Sequence, residues 1–273
     1  MLNCDRVRTK LNTMILGRNL YCFQVIDSTN SYLLELAREG APEGTVVLSE
    51  YQTAGRGRKA RKWFASKGKN LLVSILLRPE LEIDYVQKIT LATAIILANS
   101  IEQYLKENDL PAQDIRFKWP NDLLVNNRKL SGILSESILH DKKIMALVIG
   151  IGINLNEMPQ EREPDIKHKA VSLKELTGAE IDREKFLCQL LENFEKGYER
   201  FERTLYRQVI DEWKQRCSQF GQKVVLETPF GEQEAIIRDV NESGYLIYED
   251  KSGQLHSLIT GEVIGEQKNV AGL

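Results

Sequence analysis

The sequence predicts an α+β protein that ends in a small β-barrel, and three observations carry that prediction. Continuous apolar runs at Leu71–Leu77 and Ile144–Ile153 read as buried strands. Residues 84–106 and 182–216 place apolar side chains at three- and four-residue steps, the period of helices with one face on a core. After Phe220-Gly221 the pattern changes to four or five short strands, each closed by turn residues. The expected division is therefore a domain over 1–218, opened by a linker-like amphipathic segment at 1–19, and a second over 219–273.

Taken in order, Leu20–Ile26 reads as a strand. Asp27-Ser28-Thr29-Asn30 then offers N-caps to a helix carrying Tyr32, Leu33, Leu34 and Leu36, which Gly40-Ala41-Pro42 stops. Thr45–Ser49 is a buried-type strand, and a Gly- and Lys/Arg-rich loop runs from Gln52 to Asn70. Leu71–Leu77 is a central strand closed by Arg78-Pro79. The helix over 84–106 is followed by strands at Ile115–Trp119, Leu123–Val125, Ile133–Ile138 and Ile144–Ile153, with hairpin turns at Asn126-Asn127 and His140-Asp141. Residues 156–169, polar and flanked by proline, read as a mobile loop before the single long helix over 182–216. Strands at Lys223–Glu227, Glu234–Val240, Tyr245–Glu249 and Leu255–Thr260 build the barrel.

Composition narrows the function classes. With 37 Lys+Arg against 39 Asp+Glu in 273 residues, the chain is not basic overall, which argues against wholesale nucleic-acid binding. Its four cysteines, Cys4, Cys22, Cys188 and Cys217, stand far apart without a CxxC pair, and the three histidines are scattered. That pattern speaks against a zinc site or a disulfide framework and fits a reducing, cytoplasmic compartment. No apolar run reaches the ~20 residues of a membrane span.

Against this neutral background one loop is strongly basic. Arg56, Arg58, Lys59, Arg61, Lys62, Lys67 and Lys69 have no acidic residue among them. Glycines there let backbone N–H groups approach an oxyanion, and guanidinium forks bind carboxylate or phosphate in pairs. A solvated surface loop or an RNA-touching patch has the same composition. The chain has no GxxxxGK[ST] run, and Gly150-Ile151-Gly152-Ile153-Asn154-Leu155 does not complete a GxGxxG turn, so the commonest nucleotide-binding folds are excluded. A second signal, Lys118-Trp119-Pro120-Asn121-Asp122 followed by Arg128-Lys129-Leu130-Ser131-Gly132, is either a tight turn with a surface lysine or part of a charged site. The third, Val148–Asn156, alternates glycine with branched residues, as a closely packed strand or the floor of a flat apolar pocket would.

In this order and spacing the motifs resemble one family, the biotin protein ligases. The matching residues are Asp27-Ser28-Thr29-Asn30, Gln52-Thr53-Ala54-Gly55-Arg56-Gly57-Arg58 with Arg61-Lys62-Trp63, Lys118–Leu123, Arg128–Leu134 and Gly150–Asn154. The resemblance implies a mixed β-sheet flanked by helices, of the biotin/lipoate ligase, class II synthetase-like type, with an SH3-like C-terminal barrel. It implies ATP and biotin as substrates with Mg²⁺, biotinoyl-5′-AMP as intermediate, and a biotin carboxyl carrier protein as acceptor, often with a homodimer. It also assigns roles. Lys129, Arg58 and Lys118 would be catalytic. Biotin would lie against Ser28, Thr29, Asn30, Gln52, Gly55, Arg56, Gly57, Gly132 and Gly150, with Arg58 and Lys129 at its carboxylate. The adenylate would meet Arg58, Arg61, Trp63, Lys118, Asn121, Asp122 and Asn154, with Asp122 a metal or ribose contact and the metal ligands otherwise unassigned.

Three departures qualify the resemblance. Ala60 replaces a glycine common in the family and permits αR or β geometry. Around Ala170-Val171-Ser172-Leu173 no aromatic is available to stack on adenine, so that contact within 156–172 is unassigned. No helix-turn-helix domain is visible, so operator binding and a biotin-sensing repressor without turnover are not expected. The nearest rival within the fold is an adenylating ligase for lipoate or another small carboxylic acid. An RNA-binding protein is the most distant alternative, because the barrel carries few aromatics for base stacking, namely Phe230, Tyr245 and Tyr248.

A loop of like charges repels itself when empty, so residues 54–68 should order on ligand. Limited proteolysis is expected to cut this loop more slowly once biotin is added, and equal rates with and without biotin would contradict it.

Overall fold

The computed structural model describes residues 2–266. Met1 and residues 267–273, the end of the expected second domain, lie outside the described residues.

A seven-stranded mixed sheet forms the frame. Its strands are β1 (Leu20–Phe23), β2 (Val46–Ser49), β3 (Leu71–Leu77), β4 (Arg116–Lys118), β5 (Asp122–Val125), β6 (Arg128–His140) and β7 (Lys143–Ile153), in the order β1-β2-β3-β7-β6-β5-β4. Only β1 and β2 run parallel; every other pair is antiparallel. Helix α2 (Thr29–Arg38) covers one face, where Leu33 and Ala37 pack on Val47, Leu76, Ala146 and Val148. Helices α3 (Tyr85–Glu107) and α5 (Arg183–Arg203) cover the other through one large core. All seven residues of β3 are buried because helices cover both faces, which is why it reads as continuously apolar rather than alternating. Asn126 and Asn127, both at positive φ, make the expected two-residue turn between β5 and β6.

Four expectations need correction. The segment 1–19 is built into the first domain rather than standing off as a linker. Helix α1 (Cys4–Lys10) buries Val7, and the Glu195 carboxylate of α5 accepts the backbone N–H groups of Met14, Ile15 and Leu16 at 2.7, 2.7 and 2.9 Å. The long helix over 182–216 breaks after Arg203. Leu205 and Tyr206 adopt φ of 48° and 57°, sinking the Tyr206 ring into the core, before α6 (Val209–Lys214) resumes. Residues 156–169 are fastened down, as described below. Cys4 and Cys22, which the sequence reads as standing far apart, come together with their Cα atoms 6.3 Å apart.

After residue 219 the chain forms an antiparallel five-stranded sheet: β8 (Lys223–Thr228), β9 (Gly231–Val240), β10 (Leu246–Glu249), β11 (Leu255–Leu258) and β12 (Glu262–Glu266), ordered β11-β10-β9-β8-β12. The hydrogen-bonded order of the described residues is that of an open sheet, so the closed barrel expected from the sequence is not established. The two sheets are tied together beside β4. Phe117 N–H donates to Arg216 O at 2.8 Å, Trp119 N–H to Gln219 Oε1 at 2.6 Å, and the Trp119 indole to Gly244 O at 3.0 Å. No helix among the described residues is long and apolar enough to cross a membrane.

The buried pair Glu50–Arg183, 2.9 Å apart, links β2 to α5. Burial alone would raise the Glu50 carboxyl, but Arg183 and the Leu2 N–H outweigh it and hold the group below its usual range. Its contribution is therefore present above the ordinary carboxylate range and fades as pH falls through it. Glu50→Gln should cost about 3 kcal/mol at pH 7 by urea unfolding, because Arg183 is left buried and unpaired. The gap between parent and variant should narrow in acid.

Candidate active site

The basic loop, the Trp-Pro-Asn-Asp corner, β6 and β7 meet around one cavity of about 670 Å³. Seven basic side chains line it, Arg56, Arg58, Arg61, Lys62, Lys118, Lys129 and Lys169, against two carboxylates, Asp122 and Glu262. A dianion or polyphosphate entering here gains from every wall of the cavity.

One end of the cavity is neutral and hydrogen-bonding. Ser28 caps α2, accepting from Ser31 N–H at 3.4 Å, which leaves its own hydroxyl proton to donate. Thr29 donates to Gln52 Oε1 through both its N–H, at 2.7 Å, and its hydroxyl, at 2.9 Å. Ser74 Oγ lies 2.7 Å from Thr29 Oγ1 and 2.6 Å from Asn30 Oδ1. Asn30 Nδ2 donates to Glu136 Oε2 at 2.9 Å, and Arg56 reaches the same oxygen at 2.8 Å. Ser74 and Glu136 escape sequence reading. The available signal for Ser74 is a lone hydroxyl inside the apolar run Leu71–Leu77.

Glycines on β6 and β7 make the floor. A Cβ at Gly150 would fall on the Asn30 amide, one at Gly152 on the Trp63 indole, and one at Gly132 would come within 3.0 Å of Lys129 Cε. The missing side chains are thus occupied by site residues laid flat on the sheet. The Trp63 indole N–H is buried without a partner among the described residues, a donor left for a ligand acceptor.

The cations take distinct positions. Lys129 extends across Gly132, its Nζ 2.7 Å from Asp122 Oδ1 and 5.4 Å from the Trp63 ring. Arg58 stacks over Trp119 at 6.0 Å and donates to Gly261 O at 3.2 Å. Burial makes its positive charge costly, partly offset by Glu262 and Asp122. Lys59 and Arg61 reach across to the second sheet, where Glu227 stands 3.2 Å from Lys59 and 3.5 Å from Arg61, and Glu262 also takes Arg61. Ala60 departs from its expected geometry: it sits at φ 59° beside Lys59 at φ 52°, a left-handed turn that a glycine would adopt without strain.

Of the residues singled out from the sequence, Gly55 and Asn154 do not line this cavity. Gly55 anchors the base of the loop, accepting from Trp63 N–H at 2.9 Å, and lines an adjoining groove. Asn154 is buried, and its Nδ2 donates to Lys129 O at 3.2 Å, behind the Lys129 main chain. Asn121 lines the cavity, but its amide is engaged with Ile133 O at 2.5 Å. His168, Lys169 and Ile166 from the 156–170 loop, and Gln222 and Ile264 from the second unit, also line it unforeseen, because no motif marks them. No group of three or more His, Cys, Asp or Glu positioned for a metal exists among the described residues, which argues against a metal held by protein alone.

Comparisons with known proteins agree with this geometry. The model of the biotin/lipoate A/B protein ligase family matches residues 22–154. A bifunctional ligase/repressor BirA of Bacillus subtilis is 31% identical over 92% of this chain and 76% of its own length. A biotin–[acetyl-CoA-carboxylase] ligase of Paracoccus denitrificans is 31% identical over 84% of this chain and 93% of its own. Among solved structures, a biotin protein ligase from Aquifex aeolicus in complex with biotin and ATP superposes with a TM-score of 0.73, at 27% identity, covering 90% of this chain and 97% of that one.

Replacing Gly152 with alanine should lift Trp63 off the sheet while Trp119 and Trp213 stay buried. Acrylamide quenching of tryptophan fluorescence is expected to rise in the variant, and unchanged quenching would contradict the packing described.

Proposed function

The chain belongs to the biotin protein ligases, and from that premise we propose how its cavity carries the reaction. The enzyme is an ATP-dependent ligase that forms biotinoyl-5′-AMP and transfers biotin to a lysine of a carrier protein. The single observation that supports this reading best is the pairing of a neutral, hydrogen-bonding pocket with a strongly cationic one inside the same cavity.

Biotin suits the neutral end. Its ureido ring offers both donors and acceptors to Ser28, Thr29, Asn30 and Gln52; Thr29 and Gln52 are fixed by bonds to each other, and Asn30 by Ser74 and Glu136, before it arrives. An analogue lacking the ureido group leaves these buried groups unpaired, which is how such a pocket discriminates. Gly132 and Gly150 let Lys129, Trp63 and Asn30 lie close on the sheet, so these side chains form the wall that the flat bicycle meets.

In the first step a carboxylate oxygen attacks the α-phosphorus and diphosphate leaves. Two anions approach, so the barrier falls with every fixed positive charge at the developing phosphorane. Lys129 is placed for that task, with Arg58 and Lys118 beside it as further cations. Arg61 and Trp63 are assigned to the nucleotide, as is the rim at Ile166, His168 and Lys169. Mg²⁺ enters as part of the nucleotide substrate, which suits a cavity lined, among the described residues, by only two carboxylates, Asp122 and Glu262, since magnesium is held mostly by phosphates and water. Asp122 meanwhile holds the Lys129 ammonium in place at 2.7 Å. In the second step a neutral carrier lysine attacks the mixed anhydride carbonyl, AMP leaves, and an amide forms. The loop over Arg56–Trp63 shields the anhydride from water between the steps.

The second unit, taken as an SH3-like domain beginning near residue 219, contributes by anchoring that loop through Glu227 and Glu262. A biotin carboxyl carrier protein as partner, a homodimer and a cytoplasmic location complete the reading.

Incubation with ATP, Mg²⁺, biotin and a carrier domain should add one biotin to the carrier, read by mass. Lys129→Met is expected to slow adenylate formation by roughly a hundredfold, the scale of one lost transition-state cation. A carrier left unmodified by the parent enzyme would overturn the reading.

A further inference from the structure

The loop from Asn156 to Ala170 is assembled around a buried cation. The Arg162 side chain is 0% exposed and touches no wall of the cavity. Its guanidinium gathers both ends of the loop: Nη2 donates to Glu157 O at 3.0 Å and Nη1 to Ala170 O at 2.8 Å. Nη2 also lies 2.8 Å from Glu175 Oε2 on α4 (Leu173–Thr177), and Nε lies 3.6 Å from Glu157 Oε2. The other oxygen of Glu175 takes Arg128, the residue before Lys129. Burial would raise the Glu175 carboxyl, but the two arginines outweigh it and keep the group ionised.

Such a cluster is poor as a source of stability, since desolvating the ions consumes most of their attraction and apolar packing does as well. What it does fix is geometry. The residues on either side of Ala170 grip the main chain of Lys129. Lys129 N–H donates to Lys169 O at 2.7 Å, and Val171 N–H donates to Lys129 O at 2.9 Å. No other cavity cation among the described residues has its backbone held from both sides by this loop. From the opposite direction, Glu157 Oε1 accepts Ser66 N–H at 2.6 Å, joining the cluster to the end of the basic loop.

We propose that Arg162 is a positioning residue for adenylation: through the Lys169–Val171 segment it sets where Lys129 stands, with Glu175 as its counter-ion. The inference rests on the role given to Lys129 above. Arg162 itself touches no substrate.

Arg162→Lys keeps a buried charge but replaces a planar fork with one ammonium, which does not span Glu157 O, Ala170 O and Glu175 together. Single-turnover formation of the adenylate from biotin and MgATP is measured in the parent, in Arg162→Lys, in Lys129→Met and in the double variant. The expected result is a loss of about tenfold for Arg162→Lys with biotin affinity within about twofold of the parent, and less than about twofold further loss when Lys129 is already methionine. A purely structural Arg162 would lower the rate by the same factor in both backgrounds, and that result overturns the inference. So does a parental rate in Arg162→Lys while Lys129→Met is crippled. A parental rate in Lys129→Met overturns the assigned role of Lys129 and this inference with it. Should Arg162→Lys fail to fold, Glu175→Gln takes its place and must show the same dependence on Lys129.

Discussion

Seven positive side chains facing one space repel each other, and the rest of the site is arranged to hold them there. Two unit charges 4 Å apart interact by about 4 kcal/mol at an effective dielectric of 20, so cations left to themselves would splay into solvent. Each of several is met instead by a carboxylate from another part of the chain. Glu136 on β6 takes Arg56, Asp122 on β5 takes Lys129, and Glu227 and Glu262 of the second sheet take Arg61. Asp122 and Glu262 line the cavity themselves, but seven basic side chains against these two carboxylates leave it strongly positive. The arrangement lowers the cost of assembling the charges without cancelling the field that a triphosphate experiences.

The apolar frame serves the same end. Helices on both faces bury all of β3, so a polar group there requires a partner. Ser74, Thr29, Asn30 and Gln52 supply partners to one another and stay fixed without a ligand. Glycines at 132, 150 and 152 then let Lys129, Asn30 and Trp63 lie directly on the strands. Pre-set donors of this kind need little reorganisation at the moment of reaction, which is where electrostatic catalysis gains most.

The two loops over the cavity are held by opposite means. The basic loop is attached by ion pairs that reach solvent, weak and open to exchange for a phosphate. The loop over 156–170 is attached through the wholly buried Arg162 and is built to stay. Its polar, proline-flanked sequence reads as mobile because an arginine inside a loop carries no sign of burial until its acceptors are known.

Much of this was legible in one dimension. Hydrophobic period placed most strands and helices of the first sheet, since a buried face imposes its spacing on any sequence that forms it. The motif residues were likewise readable as types, because phosphate and carboxylate chemistry demands arginine, lysine and bare amides. Other facts depended on distance between remote segments. The Asn154 amide donates to Lys129 O, a contact no motif announces; Ser74 and Glu136 look like ordinary strand residues but complete the polar network. The break at Leu205-Tyr206 and the Cys4–Cys22 pair were equally invisible. Residue order by itself determined which chemical groups were present and which stretches would be buried, because both follow from side-chain chemistry and local period. Only tertiary structure decided which carboxylate faces which cation, because a charge pair is set by separation in space, and the chain brings together residues more than a hundred positions apart.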